Sequence, residues 1–311
     1  MKTKILITGA TGLIGQEIAK ACLEKGYKIH YLTTSKVKIS NEDNYKGFYW
    51  NPKEGEIDKS CFKNVSVIIN LAGASISKRW TDSYKKEILE SRTQALQLLK
   101  ETIKVYGFKI QHIISASAIG IYPDSLINYY KEDYHEVSSS FLGQVVSQWE
   151  SAVDEFSNLK IKVTKIRIGL VLSNKGGALL EIAKPIQFGF GAAFGSGKQW
   201  QSWIHIKDLA ELFVFIKQHN IEGTYNAVAP NPVSNKELVK AVAKVLKKPL
   251  LLPNIPKSVM KLILGEMHEL LFESHRVSSR KTENLGFNFK YHHLQKALRD
   301  LFPFKTNYIQ K

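Results

Sequence analysis

Between Lys4 and Gly15 the chain reads Lys-Ile-Leu-Ile-Thr-Gly-Ala-Thr-Gly-Leu-Ile-Gly, and no other stretch constrains the fold as much. An apolar run (Ile5, Leu6, Ile7) meets Gly9, Gly12 and Gly15. Apolar residues then recur at helical spacing (Ile18, Ala19, Cys22, Leu23), which reads as strand, tight turn and helix. In such a turn one glycine lets the chain reverse, one lets backbone approach a pyrophosphate, and one lets the helix pack against the strand. The free N–H groups at the helix's positive end suit an anion. A glycine triplet alone fits many α/β loops. Here it follows a strand and opens a helix ending at Lys25-Gly26, and a second strand, Lys28 to Thr33, completes a βαβ unit. We therefore assign Gly9, Thr11, Gly12, Leu13, Ile14 and Gly15 to a dinucleotide site.

The alternation continues. Val65 to Leu71 is a buried-strand pattern running into Ala72-Gly73, and a long helix spans roughly Thr81 to Val105. His112 to Ser115 is the next strand, leading into Ser115 to Tyr122. Ser139 or Ser140 caps a helix with Leu142, Val146, Trp149, Val153 and Phe156 on its apolar face, and Lys162 to Ile168 is a further strand. Strands and helices in turn predict a parallel sheet covered on both faces. The fold class is α/β, a Rossmann-type doubly wound sheet over residues 1–170. Residues 171–311 are expected to form a smaller, mostly helical C-terminal lobe, partly interleaved, with a strand near 224–228 returning to the sheet. Ser234-Asn-Lys-Glu237 is a capping box. The Gly-rich stretch from Gly189 to Gly197 is not a phosphate loop, because Ala192 and Gln199 stand where that motif needs Gly and Ser or Thr. It reads as a loop over the pocket or a surface turn.

With 311 residues and 44% apolar content the chain can bury a full core. Its 44 Lys and Arg against 28 Asp and Glu leave +16, which favours anionic partners. The lysines are scattered in ones and twos, however, so a solvated surface is the better reading and nucleic acid is not the expected partner. Cys22 and Cys61 stand alone, suggesting neither disulfide nor metal. The apolar runs are too short to span a bilayer and the N-terminus enters a strand directly, so a cytoplasmic protein without membrane contact is expected.

Together, Ile-Thr-Gly-Ala-Thr-Gly-Leu-Ile-Gly, Asn70-Leu-Ala-Gly73, Ser-Ala-Ser-Ala at Ser115 to Ala118 and His205-Ile-Lys-Asp208 resemble the extended short-chain dehydrogenase/reductases. The chain is most similar to the atypical, YfcH-like "epimerase family" subgroup. It shares Lys78 to Thr81, Glu87, Ser91-Arg92, Trp149-Glu150, Gly195 to Gly197 and Ser202 to His205 with that subgroup. The resemblance implies a Rossmann domain binding NADP. By motif position its cofactor contacts fall on Gly12 to Ile14, Thr34, Ser35, Leu71, Ala72, Glu87, Arg92 and Glu150; Gly73 and Ser115 lie in the same motifs. Ser35 stands where relatives often carry Arg, leaving Lys36 or Lys38 to meet a 2′-phosphate. Related folds dimerise through two helices, which here would be those carrying Trp80 and Trp149. Arg92 falls on the apolar stripe Tyr84, Ile88, Ala95, Leu99, where an inward charge needs either a core carboxylate or a role at the cofactor.

The reductases and epimerases of this superfamily use a Ser or Thr, a Tyr, and a Lys one helical turn later. Ser117 supplies the first. Leu142 and Val146 occupy the other two positions, and Tyr49 to Lys53, the one Tyr-x-x-x-Lys present, contains Pro52, which disfavours a helix. Three readings follow: an oxidoreductase or epimerase with a substitute acid among Tyr122, Tyr130 and His205, a non-catalytic NADP-binding sensor, or a nucleic-acid-associated protein. A histidine at such a position as 205 is more often a packed core or capping residue, so it is named only as a candidate.

Overall fold

The computed structural model describes residues 3–303. Strand β1 (Lys4–Thr8) buries Ile5, Leu6 and Ile7 completely, as a strand covered on both faces must. Helix α1 (Leu13–Glu24) follows, then β2 (Lys28–Thr33) and β3 (Tyr45–Asn51). Next come β4 (Val65–Asn70), α2 (Asp82–Tyr106), β5 (His112–Ala118), α3 (Phe141–Asp154) and β6 (Lys162–Ile168). The Tyr49 to Lys53 pair thus starts on a strand and ends in a turn.

Past β6 the chain forms β7 (Leu170–Leu172), α4 (Ala178–Gln187), β8 (Trp203–His205), α5 (Ile206–His219) and β9 (Gly223–Ala227). The remaining helices are α6 (Asn235–Leu246), α7 (Lys257–Leu264), α8 (Glu269–Phe272), α9 (Arg280–Asn284) and α10 (Leu294–Leu301).

The central sheet runs β9-β6-β5-β4-β1-β2-β3, with every neighbouring pair parallel. Asn41–Glu42 and Glu56–Ile57 add antiparallel to β3. The order reverses at β1 and β4, so the crevice at the C-terminal ends of these strands is where such a sheet receives its ligand. Strand β9, reached only after the chain has left the first sheet strands by way of β7 to α5, extends the edge beside β6. A second apolar core, with Leu179, Trp203, Leu238, Val242 and Leu298 fully buried, holds the C-terminal helices together.

Helices α2 and α3 pack on each other. Trp80 and Trp149 are both buried within the chain, Trp80 edge-on to Phe141 at 5.2 Å. These indoles therefore pack within the fold itself. Among the described residues no helix is long and apolar enough to cross a membrane.

Candidate cofactor cleft and active site

The turn after β1 is shaped by two glycines that no other residue could replace without displacement. Gly9 has φ +69°, and a Cβ there would lie 2.9 Å from the Leu71 carbonyl oxygen. A Cβ on Gly15 would lie 2.2 Å from the Gly9 oxygen. Gly12 caps α1 with no side-chain hydrogen bond and no acidic residue in the first turn, so the first-turn N–H groups remain for a ligand. Across the crevice, Thr8 Oγ1 donates to Asn70 Oδ1 (2.8 Å) and accepts from the Leu71 and Ala72 N–H groups. Asn70 Nδ2 donates to Ser115 Oγ at 3.0 Å. Ser115 is fully buried: it holds the Leu71 to Gly73 backbone in place through Asn70 and is walled off from direct contact with a ligand.

At the end of β2, Thr34 and Lys36 are exposed and Ser35 half-buried. The Lys36 ammonium lies 4.9 Å above the Tyr49 ring. From Thr33 to Asn41 the chain carries no carboxylate.

Farther in lies a cavity of about 210 Å³ walled by Ile76, Ala118, Leu142, Val145, Val146, Trp149 and Leu270, with Arg92, Glu273 and His275 as its ionisable groups. Leu142 and Val146, which replace the Tyr and Lys, face this space. Arg92 has no carboxylate partner among the described residues, which overturns the core salt bridge. It donates to the carbonyls of Ile88 (2.7 Å) and Ala74 (3.3 Å) and lies 5.0 Å above the Trp149 ring. Burial lowers its pKa to about 10. Gly73 makes this seat, since a Cβ there would come within 2.9 Å of the guanidinium carbon. The Trp149 indole N–H has no partner among the described residues. Glu87 is half-buried on α2, in the turn before Arg92.

Ser117 ends up in a buried network. Its hydroxyl donates to Glu150 Oε1 at 2.6 Å, and Arg167 grips both carboxylate oxygens at 2.8 and 2.9 Å. Burial alone would raise the Glu150 pKa; hydrogen bonds from Arg167, its charge and the Ser117 hydroxyl outweigh it and hold the carboxyl below its ordinary value. Glu150, a cofactor contact by resemblance, thus spends both oxygens inside the protein. Arg167 Nη1 also reaches the Tyr122 hydroxyl (3.0 Å), which donates to Asn226 Oδ1 (2.8 Å).

This network corrects the substitute acids. Tyr122 is buried, its hydroxyl turned to Asn226 and Arg167, and burial pushes its pKa up to about 12. Tyr130 is fully buried and stacked on Tyr122 at 5.0 Å. His205 is fully buried in the C-terminal lobe, where Nδ1 caps α5 by accepting from Lys207 N and Nε2 faces Asp300 at 3.3 Å. None of the three walls the inner cavity, so His205 is the packed cap and the tyrosines serve the core.

Three participants escaped the sequence. Arg167 carried a readable signal, a cation inside the apolar pattern of β6 that demands a buried partner. Glu273 and His275 carried none, because only tertiary folding brings residues 273–278 across the site, where Gln201 bridges His275 and Tyr130 bridges Val277.

A parallel sheet reversing at a glycine turn, with Ser117 at the end of the next strand but one, defines the class: a short-chain dehydrogenase/reductase with a Rossmann-type nucleotide-binding fold. Residues 5–140 match the NAD dependent epimerase/dehydratase family and residues 255–301 a domain of unknown function, DUF1731. An epimerase family protein of Staphylococcus aureus (strain MRSA252) is 37% identical over 297 residues, covering 95% of this chain and 98% of that protein. The chain therefore belongs to the epimerase family. Among solved structures, human epimerase family protein SDR39U1 (isoform 2) with NADPH matches at TM-score 0.83 and 25% identity, covering 96% of this chain and 99% of that one. Thermus thermophilus UDP-glucose 4-epimerase with NAD matches at TM-score 0.76 and 17% identity over 96% of this chain and 97% of that chain, a likeness of fold alone.

Proposed function

We propose that this chain binds NADP(H) in preference to NAD(H) and works as a reductase or nucleotide-sugar epimerase-type oxidoreductase without the Tyr and Lys pair. The observation that carries the cofactor preference is the end of β2. NAD-selective sites place an Asp or Glu there to hold the ribose hydroxyls, whereas this chain has exposed Thr34 and Lys36 and half-buried Ser35. No carboxylate would repel a 2′-phosphate. The human relative crystallised with NADPH supports the same reading. The residues fit a dinucleotide: Gly9 and Gly15 let the turn close on its own backbone where a Cβ would collide, Gly12 opens α1 with no side chain capping its first-turn N–H groups, and Trp149, whose buried N–H has no partner among the described residues, lines the cavity.

The Gly9 to Gly15 turn would hold the pyrophosphate, Thr34, Ser35 and Lys36 the 2′-phosphate, and Leu71 to Gly73 the backbone side of the crevice. When bound, the cofactor supplies or accepts a hydride. Glu150 and Arg167 fix the Ser117 hydroxyl, Arg92 sets a positive charge at the cavity, and its apolar wall excludes water, which strengthens each remaining polar contact.

A second reading, an NADP-binding sensor without turnover, is favoured by Leu142 and Val146 at the cavity wall. An alkoxide that forms without a poised proton donor keeps a barrier penalty of ~10²- to 10⁴-fold. Fluorescence titration with NADPH and NADH tests the cofactor, equal affinities counting against the preference. A panel of carbonyl and nucleotide-sugar substrates under saturating NADPH separates enzyme from sensor.

A further inference from the structure

We propose that Glu273, delivered from the C-terminal lobe, is the proton donor and acceptor of this site in place of the missing Tyr and Lys; the inference rests on the NADP(H) reading above. Glu273 shares the wall of the inner cavity with Leu142 and Val146. It also lines an outer cleft with Pro123, Asp124, Ser138, Ser140 and Lys257, open to solvent. The carboxyl therefore stands between ligand space and bulk water, the position a proton shuttle requires.

It is also held there. Glu273 N donates to Glu269 O at 2.9 Å, and Ser274 N donates to Asp124 Oδ1 at 2.8 Å. Ser274 Oγ donates to Ser125 O and accepts from Trp200 N, while His275 binds the Tyr122 carbonyl through Nε2 at 2.9 Å. The segment is pinned on both sides. The competing groups are committed elsewhere: Ser117 to Glu150, Tyr122 to Asn226, His205 to α5.

The surroundings suit the task. Burial is the main influence on the Glu273 carboxyl; a hydrogen bond from Ser140 opposes it, the charges of Glu269 and Asp124 add to it, Lys257 opposes it, and the result is about 7. Glu136 in the outer cleft and Arg92 and His275 in the inner cavity complete the charged and titratable groups around it; burial lowers the His275 pKa and keeps that ring neutral. Both forms of the carboxyl are then available at neutral pH, where a general acid or base works best.

In reduction, a hydride from the reduced nicotinamide dinucleotide bonds to a carbonyl carbon, and the C=O π pair takes the proton of Glu273. The products are an alcohol, the oxidised dinucleotide and a carboxylate that water re-protonates through the outer cleft. Oxidation runs the same steps backwards with the carboxylate as base.

The test compares wild type, Glu273→Gln and Glu273→Asp in the full chain. With ¹³C-carboxyl-labelled glutamate, the proposal expects one NMR resonance with a midpoint near 7, absent in Glu273→Gln and shifted upward by NADPH, whose charge and bulk disfavour the ionised form. With 4-nitrobenzaldehyde as the carbonyl probe, NADPH oxidation should fall about tenfold per pH unit above that midpoint. Glu273→Gln should lose ~10²-fold or more in kcat at an NADPH Kd no weaker than wild type, and Glu273→Asp should recover part of the rate and keep the pH profile. The proposal is overturned by a Glu273→Gln variant with wild-type rate and profile, by a carboxyl that titrates near ~4.3 as a free glutamate does, or by one that NADPH leaves unmoved. Should the aldehyde not react with wild type, the resonance alone decides. Failure of wild type to bind NADPH instead defeats the cofactor reading, a separate result.

Discussion

At its phosphate end the cleft is made of backbone that glycine exposes within one short stretch, Gly9 to Gly15, while its inner end is assembled from side chains of α2, α3, β6 and the segment after α8. The first end depends on the absence of side chains: a Cβ at Gly15 would collide with the Gly9 carbonyl. The second depends on their mutual satisfaction, since Ser117, Glu150, Arg167, Tyr122 and Asn226 form one buried chain of hydrogen bonds. The first can fail in one step by intrusion. The second fails by leaving a partner behind, at the cost of a buried and unpaired charge.

The largest effect should come from breaking the inner network. Arg167→Met removes the cation that grips both Glu150 oxygens, and loss of one member of a buried pair costs about 3–5 kcal/mol. Urea denaturation at neutral pH should show that loss, and Glu150→Gln added to Arg167→Met should restore part of it by removing the stranded charge. Full stability of the single variant would deny the network its role.

The complementary break is Gly15→Ala. The added methyl forces α1 away from the Gly9 carbonyl, and NADPH affinity should fall by ~10²-fold, about 2.7 kcal/mol. A thermal melt run beside the fluorescence titration separates lost binding from lost fold. An alanine variant with wild-type affinity would show that close packing of α1 on the turn is not what binds the phosphates.

These two ends were unequally legible in the sequence. The turn could be read because all its parts lie within one βαβ unit and each glycine answers a local geometric need. The strand pattern marks β1, β2, β4, β5 and β6 but not β3, because Tyr45 to Asn51 mixes buried Phe48 and Trp50 with polar neighbours. Ser117 was visible through its motif, but its partner was not, because Glu150 lies on the next helix and Arg167 on the next strand. The tyrosines misled because a hydroxyl looks free in sequence and only the fold shows that Tyr122 is satisfied by Asn226, 104 positions away. Glu273 had no local signature at all.

A pH titration sharpens the contrast, since the glycine turn holds no titrating side chain. Burial lowers both His112 and His205 to about 4, with Lys162 adding to the effect at His112 and Asp300 opposing it at His205. A folded-state pKa below the unfolded value near ~6.5 means that each histidine stabilises the fold above that pH. The contribution is lost as pH falls toward the folded value. Stability should therefore fall as pH drops from 6.5 to 4, and His205→Asn should flatten part of that slope. A flat profile over this window would count against both histidines being held neutral.

The smallest effect belongs to the rim of the phosphate end, where the cleft stops depending on backbone and relies on one exposed side chain. Lys36 sits in water with its ammonium over Tyr49, so its attraction for a 2′-phosphate is screened, and part of its freedom is already spent on the ring. An exposed charge pair of this kind is worth about 0.2–1 kcal/mol. Lys36→Ala should accordingly weaken NADPH by about 1.5- to 5-fold, leave NADH unchanged because that cofactor lacks the phosphate, and lose its effect in high salt. The ratio of the two affinities is the quantity to measure, since a general change in the turn would move both cofactors together. Unchanged NADPH affinity would transfer the phosphate contact to Lys38 or to the hydroxyls of Thr34 and Ser35, which hold it by hydrogen bonds that salt barely affects.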